Sequence, residues 1–150
     1  MKEGIKLIAR NKKASHNYFI LDTLEVGISL TGTEIKSVRA GNVSINEAYV
    51  EAKNGCLKII NMHISSYKQG NIFNHNELRE RMLLAHKREI LKLENKVKLE
   101  SMTLIPLDLY LKRGYAKITL GLCKGKKNYD KRESLKEEDL SRDEKRYGKR

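Results

Sequence analysis

Residues 102–122 read MTLIPLDLYLKRGYAKITLGL, and the natural reading is two β-strands joined at Arg113-Gly114. In the first, Ile105, Leu107, Leu109 and Leu111 share one face while Pro106, Asp108, Tyr110 and Lys112 share the other, the period-two alternation of a strand half buried in a core. In the second, Ala116, Ile118, Leu120 and Leu122 face inward, leaving Tyr115, Lys117 and Thr119 outward. Pro106 has no N–H for a ladder, which predicts an edge or a bulge there. A domain organised around such a hairpin is expected to end near Cys123.

The same short or alternating apolar spacing, punctuated by Gly and Asn, runs through residues 5–65 and predicts a β-rich domain. Strands are expected over Ile5 to Arg10, Tyr18 to Leu30, Glu34 to Arg39, Ala48 to Lys53 and Leu57 to Ile64. Gly27 interrupts the second of these and suggests a bulge or bend that would let a sheet curl. Thr31-Gly32-Thr33 reads as a turn and Lys53-Asn54-Gly55 as a hairpin, because Asn and Gly adopt positive φ cheaply. Residues 76–98 change period. Met82, Leu83, Ile90, Leu93 and Val97 keep helical spacing, and Asn74 with Glu77 offers a start signal, so an amphipathic helix is expected. Its other face would carry Arg79, Arg81, Lys87, Arg88, Lys92 and Lys96, and a solvated face is the plain reading of each. Short strands joined by turns imply a sandwich or a barrel.

A length of 150 residues with 39% hydrophobic content suits one domain with one modest core. A net charge of +12, from 31 Lys and Arg against 19 Asp and Glu, points to a polyanionic partner. Nucleic acid is favoured over a membrane, since no apolar run approaches the roughly 20 residues that span a bilayer and MKEGIKLIARNKK lacks the apolar stretch of a signal peptide. A soluble, cytoplasmic protein is expected. Cys56 and Cys123 lie in apolar strand-like runs and read as small buried thiols. Residues 124–150 cannot join a core: 18 of these 27 residues are charged.

Few residues suggest chemistry. His16, His63, His75 and His86 are too scattered for a metal site, and no CxxC, HxxxH or HExxH spacing occurs. No Gly-rich phosphate loop lies between a strand and a helix, and KGKK lacks the glycine and Ser or Thr of a Walker motif. Asp22, Glu25, Glu34 and Glu47 could in principle form an acid–base or Mg²⁺ site, but no spacing singles them out. A binding module is therefore preferred to an enzyme. A curved β surface with basic residues suits RNA, with His16, Tyr18, Tyr110 and Tyr115 as stacking candidates, although a rim residue with a wet hydroxyl is the commoner role for each Tyr.

Four stretches together resemble one family: Asn11-Lys12-Lys13-Ala14 with Tyr18-Phe19-Ile20, EVGISLTGTEIKSVRAG (25–41), TLIPLDLYLKRGYAKI (103–118) and KGKKNYDKRE (124–133). In this order and spacing they resemble the small protein B (SmpB) family, the tmRNA-binding proteins of bacterial trans-translation. The resemblance implies a mainly β (α+β) fold, an OB-like closed antiparallel β-barrel with flanking helices over residues 1–123, and a basic tail over 124–150. It implies no enzymatic activity and no cofactor. The implied partners are the tRNA-like domain of tmRNA, the decoding centre and mRNA channel of the ribosome, and elongation factor Tu with GTP through alanyl-tmRNA. The free protein would be a monomer.

Position by position, the family's RNA-contacting glutamate falls on Glu25, its RKLLL-like leucine on Leu84 and its strand lysine on Lys117. Lys12, Lys13, His16, Tyr18, Lys36 and Arg39 are further RNA-binding candidates. The ribosome-contacting tail motif falls on Lys124, Gly125, Lys126, Lys127, Tyr129, Asp130, Lys131 and Arg132. Lys117 suits a phosphate contact, whereas Leu84 could be the edge of a helix stripe. Glu25 repels phosphate and would have to accept from base edges or ribose hydroxyls, or orient a neighbouring cation. Three departures stand out: Met82 replaces the lysine of RKLLL, Tyr129 a frequent histidine, and Glu100-Ser101 a usual glycine. In the tail, Ser134 with Glu137 and Ser141 with Glu144 fit capping boxes, and Glu138 with Arg142 makes an i,i+4 pair, so a helix that forms on the ribosome and not in free solution is expected. A ribosomal or assembly protein that binds structured RNA is the main alternative, and a nuclease using Glu25, Glu34 and Glu47 a third.

Overall fold

The computed structural model describes residues 4–67 and 74–127. Among them are β1 (Ile5–Arg10), α1 (Ala14–Asn17), β2 (Tyr18–Ile28), α2 (Gly32–Arg39), β3 (Val43–Ser44), β4 (Tyr49–Lys53), β5 (Cys56–Ile60), β6 (His63–Ile64), β7 (Arg81–Leu84), α3 (Lys87–Glu100), β8 (Thr103–Lys112) and β9 (Tyr115–Gly125). The fold is mainly β with a few helices, and all strand pairs are antiparallel. The ladder runs β1-β8-β4-β5-β7-β2-β9, and β9 pairs back onto β8. Val26, Leu57, Ile59, Leu83, Leu104, Leu109, Ile118 and Leu120 fill the core between these strands, each nearly inaccessible to solvent.

The β8–β9 hairpin forms as its alternation requires, with Lys112 opposite Tyr115 and Arg113 at φ 52° in the turn. The register slips between Pro106 and Asp108, so the bulge expected from Pro106 is present. It also reverses the face assignment upstream. Leu104 joins Leu109 in the main core, whereas Ile105 and Leu107 turn to a second cluster with Ala14 and Cys123. Asn11 bridges the irregularity: its N–H donates to Leu107 O (2.8 Å) and its Nδ2 to Pro106 O (3.0 Å). The β4–β5 hairpin turns through Asn54 and Gly55 at φ 53° and 74°, the paired positive values of a two-residue turn that follows the strand twist.

Two elements change type from the sequence reading, and the strand expected over Leu57 to Ile64 divides into β5 and β6, which belong to different sheets. Residues 34–39 are helix, not strand, because Thr31-Gly32-Thr33 is a helix start. The Thr31 hydroxyl accepts from Glu34 N (3.3 Å) and Glu34 Oε1 accepts from Thr31 N (2.8 Å), a reciprocal cap. The helix is capped at Ala40 and stopped by Gly41, at φ 82°, with Gly41 N donating to Val38 O and Asn42 N to Ser37 O, a left-handed stop that glycine makes at no steric cost.

The second difference is larger. The helix expected over 76–98 begins only at Lys87, where Glu89 accepts from His86 N (3.1 Å). Asn74 caps nothing and instead accepts from Tyr67 N (2.9 Å). Residues Arg81–Leu84 form β7, whose side chains alternate buried and exposed. Its inward pair is Arg81 and Leu83, and a buried arginine hides the alternation from a hydrophobicity pattern. Lys87, Arg88 and Lys92 lie on the exposed face of α3, but Arg79 and Arg81 are not on that helix. Ser101, one of the pair Glu100-Ser101 at which the resemblance implies a glycine, sits at φ 52° and ψ 41° as the left-handed C-cap of α3, a conformation that glycine adopts cheaply.

Two smaller readings are corrected. The bulge in β2 lies between Ile20 and Asp22, not at Gly27. Cys56 is exposed while Cys123 is buried, and burial pushes the Cys123 thiol up to about 11.

Candidate nucleic-acid interface

Strand register assembles the outer face of the β7-β2-β9-β8-β1 sheet. Leu84 on β7 pairs with Gly27 on β2, Gly27 with Lys117 on β9, Lys117 with Tyr110 on β8, and Tyr110 with Leu7 on β1. A second row runs Glu25, Thr119, Asp108 and Arg10, two residues along on β2, β9 and β8 and three on β1, where the register shifts between Leu7 and Ala9. Glu25, Leu84 and Lys117, spread over 92 positions of sequence, thus share one exterior face. A Cβ at Gly27 would stand 3.3 Å from the Leu84 Cβ, so glycine leaves room for the Leu84 side chain beside β2. Leu84 is 57% exposed, which is unusual for leucine and leaves an apolar contact open to a partner.

Glu25 is held, not free. The Tyr110 hydroxyl donates to its Oε2 and Lys112 Nζ to its Oε1 at 3.4 Å. Tyr110, Lys112 and the nearby charge of Lys117 outweigh burial and keep the Glu25 carboxyl below the usual range. The reciprocal effect, led by burial, pushes the Tyr110 hydroxyl up to about 12. A carboxylate therefore stays ionised on a cationic face. Beside it Arg10 Nε donates to Asp108 (3.2 Å), a mostly exposed pair and so weak in itself.

The other candidates occupy different places. Lys12 N donates to Asn46 (2.9 Å), Lys13 pairs with Glu47, and His16 and Tyr18 belong to α1 and the start of β2. The end of β9 meets them: Tyr18 pairs with Gly125 and Phe19 with Lys124, while Lys126 N and Nζ donate to Asn17 O and Ser15 O, both at 2.8 Å. Lys126 also sits 5.0 Å from the Phe19 ring centroid. The root of the tail thus meets α1 through Lys126, and α1 follows directly on Lys12 and Lys13. Lys36 and Arg39 lie on α2, with Lys36 over the Tyr67 ring at 5.5 Å. Tyr115 is 72% exposed beside the hairpin turn. Tyr129, Asp130, Lys131, Arg132 and the two tail capping boxes lie outside the described residues.

Sequence reasoning missed the strongest electrostatic feature. Glu34, fully buried, accepts from Arg81 Nε (2.5 Å), Arg79 Nη2 (2.7 Å) and Thr31 N (2.8 Å). Arg81, equally buried, also donates from Nη1 to the carbonyl of Met62 (2.7 Å) and from Nη2 to those of Asn76 and Glu77 (both 3.3 Å). Burial is the largest single influence on Glu34 and pushes its pKa up. The hydrogen bonds from Arg79, Thr31 and Arg81 together outweigh it and hold the carboxyl down at about 2. Glu34 therefore ties α2 to β7 and is closed to RNA, water and metal, which removes it from the nuclease reading. Among the described residues, no three His, Cys, Asp or Glu side chains come together in a metal-holding group, and no helix is long and apolar enough to cross a membrane. The Thr31-x-x-Glu34 spacing was the available signal.

The family model described as SmpB protein matches residues 8–150. The SsrA-binding protein of Desulfitobacterium hafniense (strain DSM 10664 / DCB-2) is 52% identical over 145 residues, covering 97% of this chain and 93% of that one. The SsrA-binding protein of Bacillus cereus (strain ATCC 10987 / NRS 248) is 55% identical over 138 residues, covering 92% and 89%. A solved chain from "tmRNA-SmpB: a journey to the center of the bacterial ribosome" superposes with a TM-score of 0.67 at 42% identity, covering 84% of this chain and 92% of that chain. Sequence motifs, strand register and these matches agree, and the chain belongs to the SmpB family.

Proposed function

We propose that this chain binds the tRNA-like domain of tmRNA and delivers it to ribosomes stalled on messages without a stop codon, acting as a non-enzymatic RNA-binding protein in the cytoplasm. The convergence of Glu25, Leu84 and Lys117 on one outer sheet face carries this reading. Lys117 supplies a phosphate contact, Leu84 an apolar surface for ribose or base, and Glu25 an acceptor for base or ribose donors. The return pairing of β9 onto β8 supports reading the sheet as a closed, OB-like barrel. Elongation factor Tu with GTP joins through the alanylated RNA, and the protein acts as a monomer.

Lys12, Lys13, His16, Tyr18 and the tail root at Lys124, Gly125, Lys126 and Lys127 form a second basic region, which suits the ribosome. Lys36 and Arg39 add basic charge on α2. The segment beyond them, with Tyr129, Asp130, Lys131 and Arg132, enters the empty mRNA channel as a helix. A gel shift comparing the tRNA-like fragment with ribosomal RNA of equal length tests the assignment. Preferential binding of the fragment is expected, and equal affinity would point instead to a ribosomal or assembly protein for structured RNA.

A further inference from the structure

The outer face does not stop at Lys117. It continues over β8 to β1 as an open groove of about 470 Å³ beside Glu25, within the ~300–1,000 Å³ span of sites that hold a small ligand. Tyr110, half buried, and Leu7, 45% exposed, give it an apolar lining, and Arg10, Lys112 and Arg113 stand at its rim. The Arg113 N–H donates to Gly4 O (2.8 Å), which fixes the hairpin turn against the start of the chain and leaves the arginine side chain in solvent. Arg10 spends one nitrogen on Asp108 and is 66% exposed.

The acceptor count at Glu25 narrows the ligand. An ionised carboxylate has about four lone-pair sites. The Tyr110 hydroxyl takes one on Oε2 and Lys112 one on Oε1, which leaves acceptor capacity on both oxygens. Two adjacent N–H donors satisfy such a pair. Among the four RNA bases, guanine alone presents two, N1–H and N2–H, side by side on its Watson–Crick edge. Adenine and cytosine place a ring acceptor next to the amino group, and uracil flanks its single N–H with carbonyls, so each would set a lone pair against the carboxylate.

Resting on the RNA-binding reading above, we propose that this groove takes one unstacked guanosine of the bound RNA, its base edge on Glu25, its face against Tyr110 and Leu7, and its phosphate at Arg10 and Arg113. Tyr110 is then a positioning residue, which holds Glu25 for the base.

Two measurements test it. Leu7→p-benzoylphenylalanine should photo-crosslink the tRNA-like fragment at an unpaired guanosine, with Leu84→p-benzoylphenylalanine as the control for the part of the face on which the RNA-binding reading rests. A crosslink from Leu84 and none from Leu7 overturns the groove while leaving the RNA-binding reading intact, and a crosslink from Leu7 to another base overturns guanine. If neither position crosslinks and no gel shift forms, the reading itself fails and the inference with it. Tyr110→Phe, which keeps the ring, should weaken binding about tenfold yet add little in a Glu25→Gln background. Full additivity of the two substitutions would show that Tyr110 does not act through Glu25.

Discussion

Replacing Glu34 by glutamine probes the interior most directly. The side chain keeps its shape and can still accept from Thr31 N, but it no longer neutralises Arg81, which is fully buried with no route to water. Removing one partner of a buried pair costs about 3–5 kcal/mol, since the remaining charge is left uncompensated. Arg79 is the internal control. It holds the same carboxylate but is 40% exposed, so Arg79→Ala should cost only about 1 kcal/mol. Replacing both buried partners by apolar residues, Glu34→Leu with Arg81→Met, should recover much of the loss. Urea denaturation of the four proteins measures this, and a loss of 3 kcal/mol would lower the melting temperature by about 10 °C in a domain of this size. Equal losses for Glu34→Gln and Arg79→Ala, or a Glu34→Gln loss under ~1 kcal/mol, would refute the view that buried charge compensation holds α2 to β7.

The same pair sets an acid limit. The Glu34 carboxyl lies at about 2 against an ordinary 4.5, so its stabilisation is present above pH 4.5 and is lost as pH falls toward 2. At roughly 1.4 kcal/mol per unit the shift corresponds to about 3 kcal/mol, and Glu34→Gln should flatten the stability profile over that window. Lys117→Ala should weaken RNA binding and reduce the magnitude of the salt slope by about one, and an unchanged slope would take Lys117 out of the interface. Gly27→Val adds a branched side chain where a single Cβ already meets Leu84 at 3.3 Å. It should cost about 1–3 kcal/mol and impair RNA binding beyond the effect of Leu84→Ala, as thermal melts and gel shifts would register. A peptide covering residues 124–150 should show little helix by circular dichroism in buffer, being too short and without a packed face, and gain helix with a ribosomal RNA fragment; strong helicity in buffer would contradict folding on the ribosome.

Local chemistry was sufficient wherever an element is specified by its own neighbours. The β8–β9 hairpin follows from alternation around Arg113-Gly114, the β4–β5 turn from Asn54-Gly55, and the Pro106 irregularity from a missing N–H, all readable without the rest of the chain. The helix at Gly32–Arg39 was equally local, since Thr31 and Glu34 have capping-box spacing, and the strand-favouring β-branched side chains of Ile35 and Val38 concealed it. The placement of β7 was not local. Its inward Arg81 finds Glu34 47 positions away, so the segment that scans as the first turns of a helix is a strand whose buried charge only the fold can neutralise. The candidate RNA face has the same character. Motif resemblance marked Glu25, Leu84 and Lys117 one by one, but the register of β7, β2 and β9 brought them together, and Tyr110 reached Glu25 across 85 positions. Alternation, turns and caps act over a few residues and are written in sequence; buried ion pairs and cross-strand rows act through space and exist only once the strands have paired.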